Sequence, residues 1–345
     1  MKIGNFDLNK DGVYIIAELS ANHNGSLQIA LDCIKAAKEI GANAIKLQTY
    51  RADTMTLNHD SAEFMANPNG IWADKKLYDL YLEAYTPWEW HEELFSYAKS
   101  IGIDIFSSPF DKSAVDFLEK FNPSAYKIAS FEITDYELIR YTASKMKPII
   151  ISTGIASIEE IQDSIDICKS VGNHDIILLK CTSQYPAPLD EANLKMIPNL
   201  AQTFEVVSGF SDHTLGITAP IVAVTLGAKV IEKHFILDKS AGGVDSSFSL
   251  DKEEFSDMVK AVRNSEKLLG KVDYALTEKK KKSRHSARSL YVSKPIKKGE
   301  KLTEKNIKSV RPGYGMHPKH LKNVLGKEAN INLEFAKPLK FEDIL

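Results

Sequence analysis

The chain has 345 residues, 43% of them hydrophobic and 26% charged, a composition that excludes collagen-like, disordered and disulfide-scaffold proteins and leaves about two globular domains. Its 44 basic and 46 acidic side chains give a net charge of −2, so no global field draws it to nucleic acid or to anionic lipid. The three cysteines, Cys33, Cys168 and Cys181, form no CxxC pair and suggest neither a disulfide framework nor a zinc knuckle. Met1–Lys10 lacks the apolar core of a signal peptide, and no uninterrupted apolar run is long enough to span a membrane. The expectation is a reduced, cytoplasmic protein without membrane or nucleic-acid partners.

Taken in chain order, short β-branched runs alternate with longer amphipathic stretches. The first run, Val13–Glu18, precedes a helical pattern at Leu27, Ala30, Ile34, Ala37 and Ile40, with Asn24 or Ser26 placed to cap it and Gly41 to close it. Further runs are Ala44–Thr49, Ile103–Ser108, Ala125–Ser130, Pro148–Thr153, Ile176–Cys181, Val206–Phe210 and Val230–Phe235, separated by helical stretches such as Ser157–Val171 and Ala219–Gly227. Eight alternating β/α units predict parallel strands and a (β/α)8 barrel over residues 1–270. An open doubly wound sheet is the alternative, but the turn after the first run, Leu19–Gly25, lacks its glycine-rich phosphate loop. The connection from Arg51 to Ile101 is long enough to carry structure of its own, and it holds Trp72, Tyr78, Tyr81, Tyr85, Trp88 and Trp90. After Gly270 the pattern changes. Residues 271–285, with Lys279–Arg284, read as a solvated linker, and 286–345 as a small β-rich domain with turns at Lys297–Gly299 and Arg311–Gly315.

The C-terminal ends of barrel strands carry the site in such folds. Here those ends hold Glu18, Lys46 with Gln48, Ser108, Lys127 with Ser130, Ser152, Lys180 with Ser183, Ser211 with His213, and Lys233 with His234. Lysine is rarely buried unpaired, so four strand-end lysines among hydroxyls point to an anionic ligand such as phosphate. Lys46 and Gln48, two apart, point to the same side of their strand. His213 and His234 end neighbouring strands, close enough to converge on one metal ion with open positions for water and a substrate oxygen. Asp245, just beyond, is placed to bind metal, substrate or water. A Schiff-base aldolase using Lys127 or Lys180 is the competing enzyme class.

The segments IAELSANHNG, AIKLQTY, SSPFD, AYKIAS, STG, CTSQYP, GFSDHT and EKHFILD, in this order, resemble the sialic acid synthase family over nearly the whole chain. The tail resembles that family's antifreeze-like (SAF) domain, whose presence also raises an ice- or carbohydrate-binding reading. LYDLYLEAYTPWEWH together with RPGYGMHP resembles the family's pseudaminic-acid-forming branch. The resemblance implies condensation of phosphoenolpyruvate with an N-acetylated hexose, here the 6-deoxy sugar 2,4-diacetamido-2,4,6-trideoxy-L-altrose, with N-acetylneuraminate or legionaminate synthesis as alternatives. It implies phosphoenolpyruvate contacts from Lys46, Ser108, Lys127, Ser130, Ser152, Ser183 and Ser211, although Ser183 stands where the family usually has asparagine. It places His213 and His234 on a divalent metal, manganese first, with magnesium or another ion as alternatives. Glu18, Gln48, Tyr185 and Asp245 would face the sugar or the reacting centre. Arg311 would enter the partner's site in a domain-swapped homodimer.

Overall fold

The computed structural model describes residues 1–345. Eight parallel strands close into a barrel: β1 Tyr14–Glu18, β2 Ala44–Thr49, β3 Asp104–Pro109, β4 Tyr126–Ile128, β5 Ile149–Ser152, β6 Ile176–Cys181, β7 Val207–Asp212 and β8 Val230–His234, with β8 pairing back to β1. Each strand is followed by a helix: α1 Leu27–Glu39, α2 His91–Ile101, α3 Lys112–Glu119, α4 Tyr136–Ala143, α5 Ile158–Ser170, α6 Met196–Phe204, α7 Thr218–Thr225 and α8 Lys252–Leu269. The (β/α)8 expectation holds, and the open-sheet alternative is excluded by closure.

The helix starts follow local chemistry. Ser26 caps α1 by accepting from the Ile29 N–H. Ser157 with Glu160 and Asp251 with Glu254 form reciprocal capping boxes on α5 and α8.

Strand alternation splits the barrel into two layers. Ile15, Ala17, Ile45, Leu47, Ile128, Ile151, Leu178 and Ile231 face the helices in one large core. Tyr14, Ile16, Ala44, Phe106, Ile150, Ile177, Leu179 and Val230 fill the interior. A two-stranded N-terminal hairpin, Lys2–Ile3 with Phe6–Asp7, closes the bottom, and its Ile3 and the following Leu8 are buried in that inner cluster. The apolar filling stops one turn below the C-terminal end, where the inward positions become polar.

The chain divides into two compact units, Met1–Gly270 and Lys271–Leu345. In the second, a short exposed helix covers Glu278–Ser283, and an antiparallel pair, β9 Ser289–Val292 with β10 Ile307–Val310, packs around Leu290, Val292, Ile296, Leu302 and Leu339. No helix is long and apolar enough to cross a membrane.

Candidate active site at the C-terminal end of the barrel

The inward residues at the strand ends converge on a narrow cavity of about 50 Å³. Of the residues singled out from sequence, Glu18, Lys46, Gln48, Ser108, Lys127, Ser130, Ser152, Tyr185, Ser211, His213 and His234 all line it. Ser183 lies behind it, donating to the Ser130 hydroxyl at 2.7 Å. Asp245 is buried beside it, its carboxylate 3.8 Å from His234 Nδ1 and accepting from the Ala21 N–H at 3.4 Å. Arg311 belongs to the second unit, immediately after β10.

Two expectations need correction. Lys180 and Lys233 were counted with the anion-binding lysines, yet each is one residue out of phase with the inward positions. Lys180 turns back onto the Cys181 carbonyl at 2.5 Å and the Thr182 hydroxyl at 3.2 Å. Lys233 pairs with Asp212 on the helix side of the barrel. Only Lys46 and Lys127 face the cavity, and Lys180 is thereby removed as a Schiff-base lysine.

The same parity shows what the sequence reading missed. Glu232, two residues before His234, shares its face, as Lys46 shares that of Gln48. Cys181 likewise lines the cavity.

The floor is a charge lattice. Lys46 lies 2.5 Å from Glu18 and 3.9 Å from Glu232, and it donates to Ser108 at 3.3 Å. Lys127 donates to Ser152 at 2.8 Å and lies 3.8 Å from Glu232, which accepts from Ser211 at 3.0 Å. Gln48 donates to Glu18 at 3.0 Å. The two carboxylates are driven apart. Burial pushes Glu18 up to about 7, and the charge of Glu232 adds to this despite the opposing pull of Lys46. Burial works on Glu232 too, but Lys127 and Lys46 together outweigh it and hold that carboxyl below its ordinary range. Whenever Glu18 holds its proton, Lys46 and Lys127 face one ionised carboxylate, and although burial pulls Lys127 down, the floor then favours an anionic ligand.

At the rim, the His213 and His234 ring centroids are 5.4 Å apart. His213 Nδ1–H donates to the Thr182 carbonyl at 3.0 Å, which orients the ring; burial opposes its charge, but Cys181 and that carbonyl outweigh it and raise its pKa above the ordinary imidazole range. His234 Nδ1 is buried with no hydrogen-bond partner, and burial together with the nearby cations pulls this imidazole well below its ordinary range, so it is neutral. A neutral, unsatisfied imidazole beside an oriented one fits a divalent cation, with the remaining positions open because no third His, Cys, Asp or Glu completes a cluster.

Above the histidines stands an aromatic wall. Tyr185 packs on His213 at 4.5 Å and Phe248 on His234 at 4.8 Å. Trp72 reaches over from the long insert to Tyr185 at 5.6 Å, and its Nε1–H donates to the Val244 carbonyl at 3.0 Å. The other tryptophans serve packing. Trp88 stacks on Phe117 at 4.4 Å, and Trp90 meets His23 edge-on.

A model described as the NeuB family matches residues 33–274, and one described as the SAF domain matches 287–345. The chain belongs to the NeuB family. Across the whole NeuB-family chain, pseudaminic acid synthase of Campylobacter jejuni (strain 81-176) is 53% identical over 343 residues, covering 99% of each sequence. That of Helicobacter pylori is 49% identical over 331 residues, covering 96% of this chain and 97% of the relative. Among solved structures, N-acetylneuraminic acid (sialic acid) synthetase of Leptospira borgpetersenii, in complex with citrate, superposes with a TM-score of 0.73 at 30% identity, over 82% of this chain and 94% of that one. Membership makes the chain an enzyme of the transferase type.

Proposed function

We propose that this enzyme condenses phosphoenolpyruvate with 2,4-diacetamido-2,4,6-trideoxy-L-altrose and water to give pseudaminic acid and phosphate. The observation that carries this reading is the 53% and 49% identity to pseudaminic acid synthases over nearly full length, against 30% to a sialic acid synthetase.

In this reading Lys46 and Lys127 neutralise the phosphate and carboxylate charge of phosphoenolpyruvate, Ser108, Ser130 and Ser152 supply directional donors, and Ser183 and Ser211 turn their hydroxyls from Ser130 and Glu232 to the ligand when it binds. C3 of phosphoenolpyruvate attacks the aldehyde carbon of the open-chain sugar. His213 and His234 would hold a divalent ion, manganese by our assignment, which would supply Lewis-acid polarisation of the aldehyde. The C3–C1 bond forms as the enol π electrons move, the aldehyde C=O π pair passes to its oxygen as an alkoxide, and C2 is left with positive character. The ionised Glu232 faces that charge. Water adds to C2, and Glu18, in its carboxylate form, accepts the proton that the water loses, which ends on the sugar alkoxide. A pKa near neutrality suits that exchange. The C2–O bond to phosphate then breaks, the C2 hydroxyl gives its proton to the leaving phosphate, and the carbonyl forms. Gln48 orients Glu18, Asp245 faces the reacting centre beside His234, and Tyr185 borders the sugar.

The units 1–270 and 286–345 act as catalytic and antifreeze-like domains, joined through 271–285. Arg311 completes the site of a second copy in a domain-swapped homodimer. The exposed apolar run Leu268, Leu269, Val272, Tyr274 and Leu276 supports a second copy covering this segment. We assign the enzyme to the cytoplasm.

The experiment is product analysis by mass spectrometry, with phosphoenolpyruvate, manganese and each candidate sugar in turn. Pseudaminic acid formed from the altrose derivative, and lost on chelation, is expected. Product from N-acetylmannosamine or from the legionaminate precursor alone would reassign the substrate.

A further inference from the structure

We infer that the buried pair Asp212–Lys233, outside the barrel and off the substrate, is a positioning clasp that sets the geometry of His213 and His234. The inference rests on the reading of those histidines as the metal pair.

Asp212 and Lys233 are register partners on β7 and β8, each immediately preceding one histidine. Alternation sends the histidines inward and this pair outward, where both side chains are fully buried. Lys233 Nζ donates to Asp212 Oδ2 at 2.5 Å and to the Thr214 carbonyl at 2.6 Å. The Thr214 N–H donates to Asp212 Oδ1 at 2.8 Å. Both chain neighbours of His213 are thus tied to the chain neighbour of His234.

Without the clasp, residues 213–214 lie beyond the last β7–β8 register pair and have lost their tie to β8. A merely structural pair has no need to reach past the strand end, whereas Lys233 bridges to Thr214, on the far side of His213. A metal held by only two imidazoles is sensitive to their separation, because no third side chain corrects an error.

The test uses the full-length enzyme and reads manganese affinity directly, from the free-ion signal in electron paramagnetic resonance. The double variant Asp212→Asn with Lys233→Met removes both charges at similar volume. It is expected to bind manganese at least tenfold more weakly, while phosphoenolpyruvate binding without metal changes less than threefold. Affinity within twofold of the parent, in a variant that melts near the parental temperature, overturns the clasp. Should the double variant fail to fold, Asp212→Asn alone decides. Asparagine keeps the Thr214 N–H bond but weakens the hold on Lys233, so a threefold or larger loss is expected, and an unchanged affinity overturns the inference. His213→Gln is run alongside. If that variant still binds manganese like the parent, the metal assignment fails and not the clasp.

Discussion

Replacing Gly154 by alanine tests whether the hydroxyls of Ser130, on the cavity wall, and Ser183, behind it, hold the phosphate. Gly154 ends the Ser152-Thr153-Gly154 turn after β5, and its φ lies outside the left-handed region, so alanine brings no backbone strain. A Cβ there falls 2.6 Å from the Ser130 hydroxyl and closer still to that of Ser183. Both hydroxyls must then shift. A hydrogen bond to a charged group is worth about 1.5–3 kcal/mol, so misplacing two costs roughly 3–6 kcal/mol of transition-state binding. That is a fall of about 150- to 25,000-fold in kcat/KM for phosphoenolpyruvate. The assay is phosphate release at varied phosphoenolpyruvate with the sugar saturating, beside a thermal melt. Gly227→Ala is the control. Its φ is +101° with nothing within 4 Å of the added Cβ, so it should lower stability by roughly 1 kcal/mol or more through strain and leave phosphoenolpyruvate kinetics alone. If Gly154→Ala keeps kcat/KM within threefold of the parent, Ser130 and Ser183 do not grip the phosphate.

Three further substitutions separate the roles. With Glu18 protonated below about 7 and working as a base only when ionised, kcat should rise with pH through that region. Glu18→Gln should lose this limb and roughly 10²–10⁴-fold in rate, and a pH profile that keeps the limb would falsify the assignment. Lys127→Met removes the cation that donates to Ser152 and should raise KM for phosphoenolpyruvate at least about tenfold, leaving sugar KM within about threefold; an equal loss for both substrates counts against a dedicated anion pocket. Trp72→Ala opens the aromatic wall and should cut kcat/KM for the 6-deoxy sugar by about 10–200-fold while affecting N-acetylmannosamine less; an unchanged ratio between the two sugars removes Trp72 from specificity.

The barrel was readable because buried parallel strands are continuous β-branched runs, and Ala44–Thr49 and Ile176–Cys181 were bounded to the residue. The N-terminal hairpin was not, since two-residue strands are too short to show a period. Position along a strand was legible, but side was not always. Lys233 and His234 sit together in sequence and on opposite faces in space, which is why Lys233 was grouped with the site and Glu232 left out of it. Applying the two-residue period backwards from His234 finds Glu232 at once. In the insert no such period exists. Three tryptophans look equivalent along the chain, and only the tertiary path of the loop brings Trp72 to the wall and sends Trp88 and Trp90 to packing.

The outward face of the strand ends is as ordered as the inward one, and the two are coupled by alternation. Gln48 and Ser108 face the cavity as register partners on β2 and β3, and the residues beside them, Thr49 and Ser107, are locked outside by a 2.6 Å hydrogen bond with His91 at 2.8 Å from Thr49. His213 and His234 face inward on β7 and β8, and Asp212 and Lys233 are locked outside. In both places a polar residue buried against the helices ties two adjacent strands one step from the pair that faces the site. Apolar packing alone would bury those positions more cheaply, since a buried polar group needs a well-made partner to offset its desolvation. It would not fix the strand ends to a fraction of an ångström, because apolar contact is non-directional. Hydrogen bonds and ion pairs are directional, and in this layer they sit among the barrel's last strand residues, one step from the side chains that face the site.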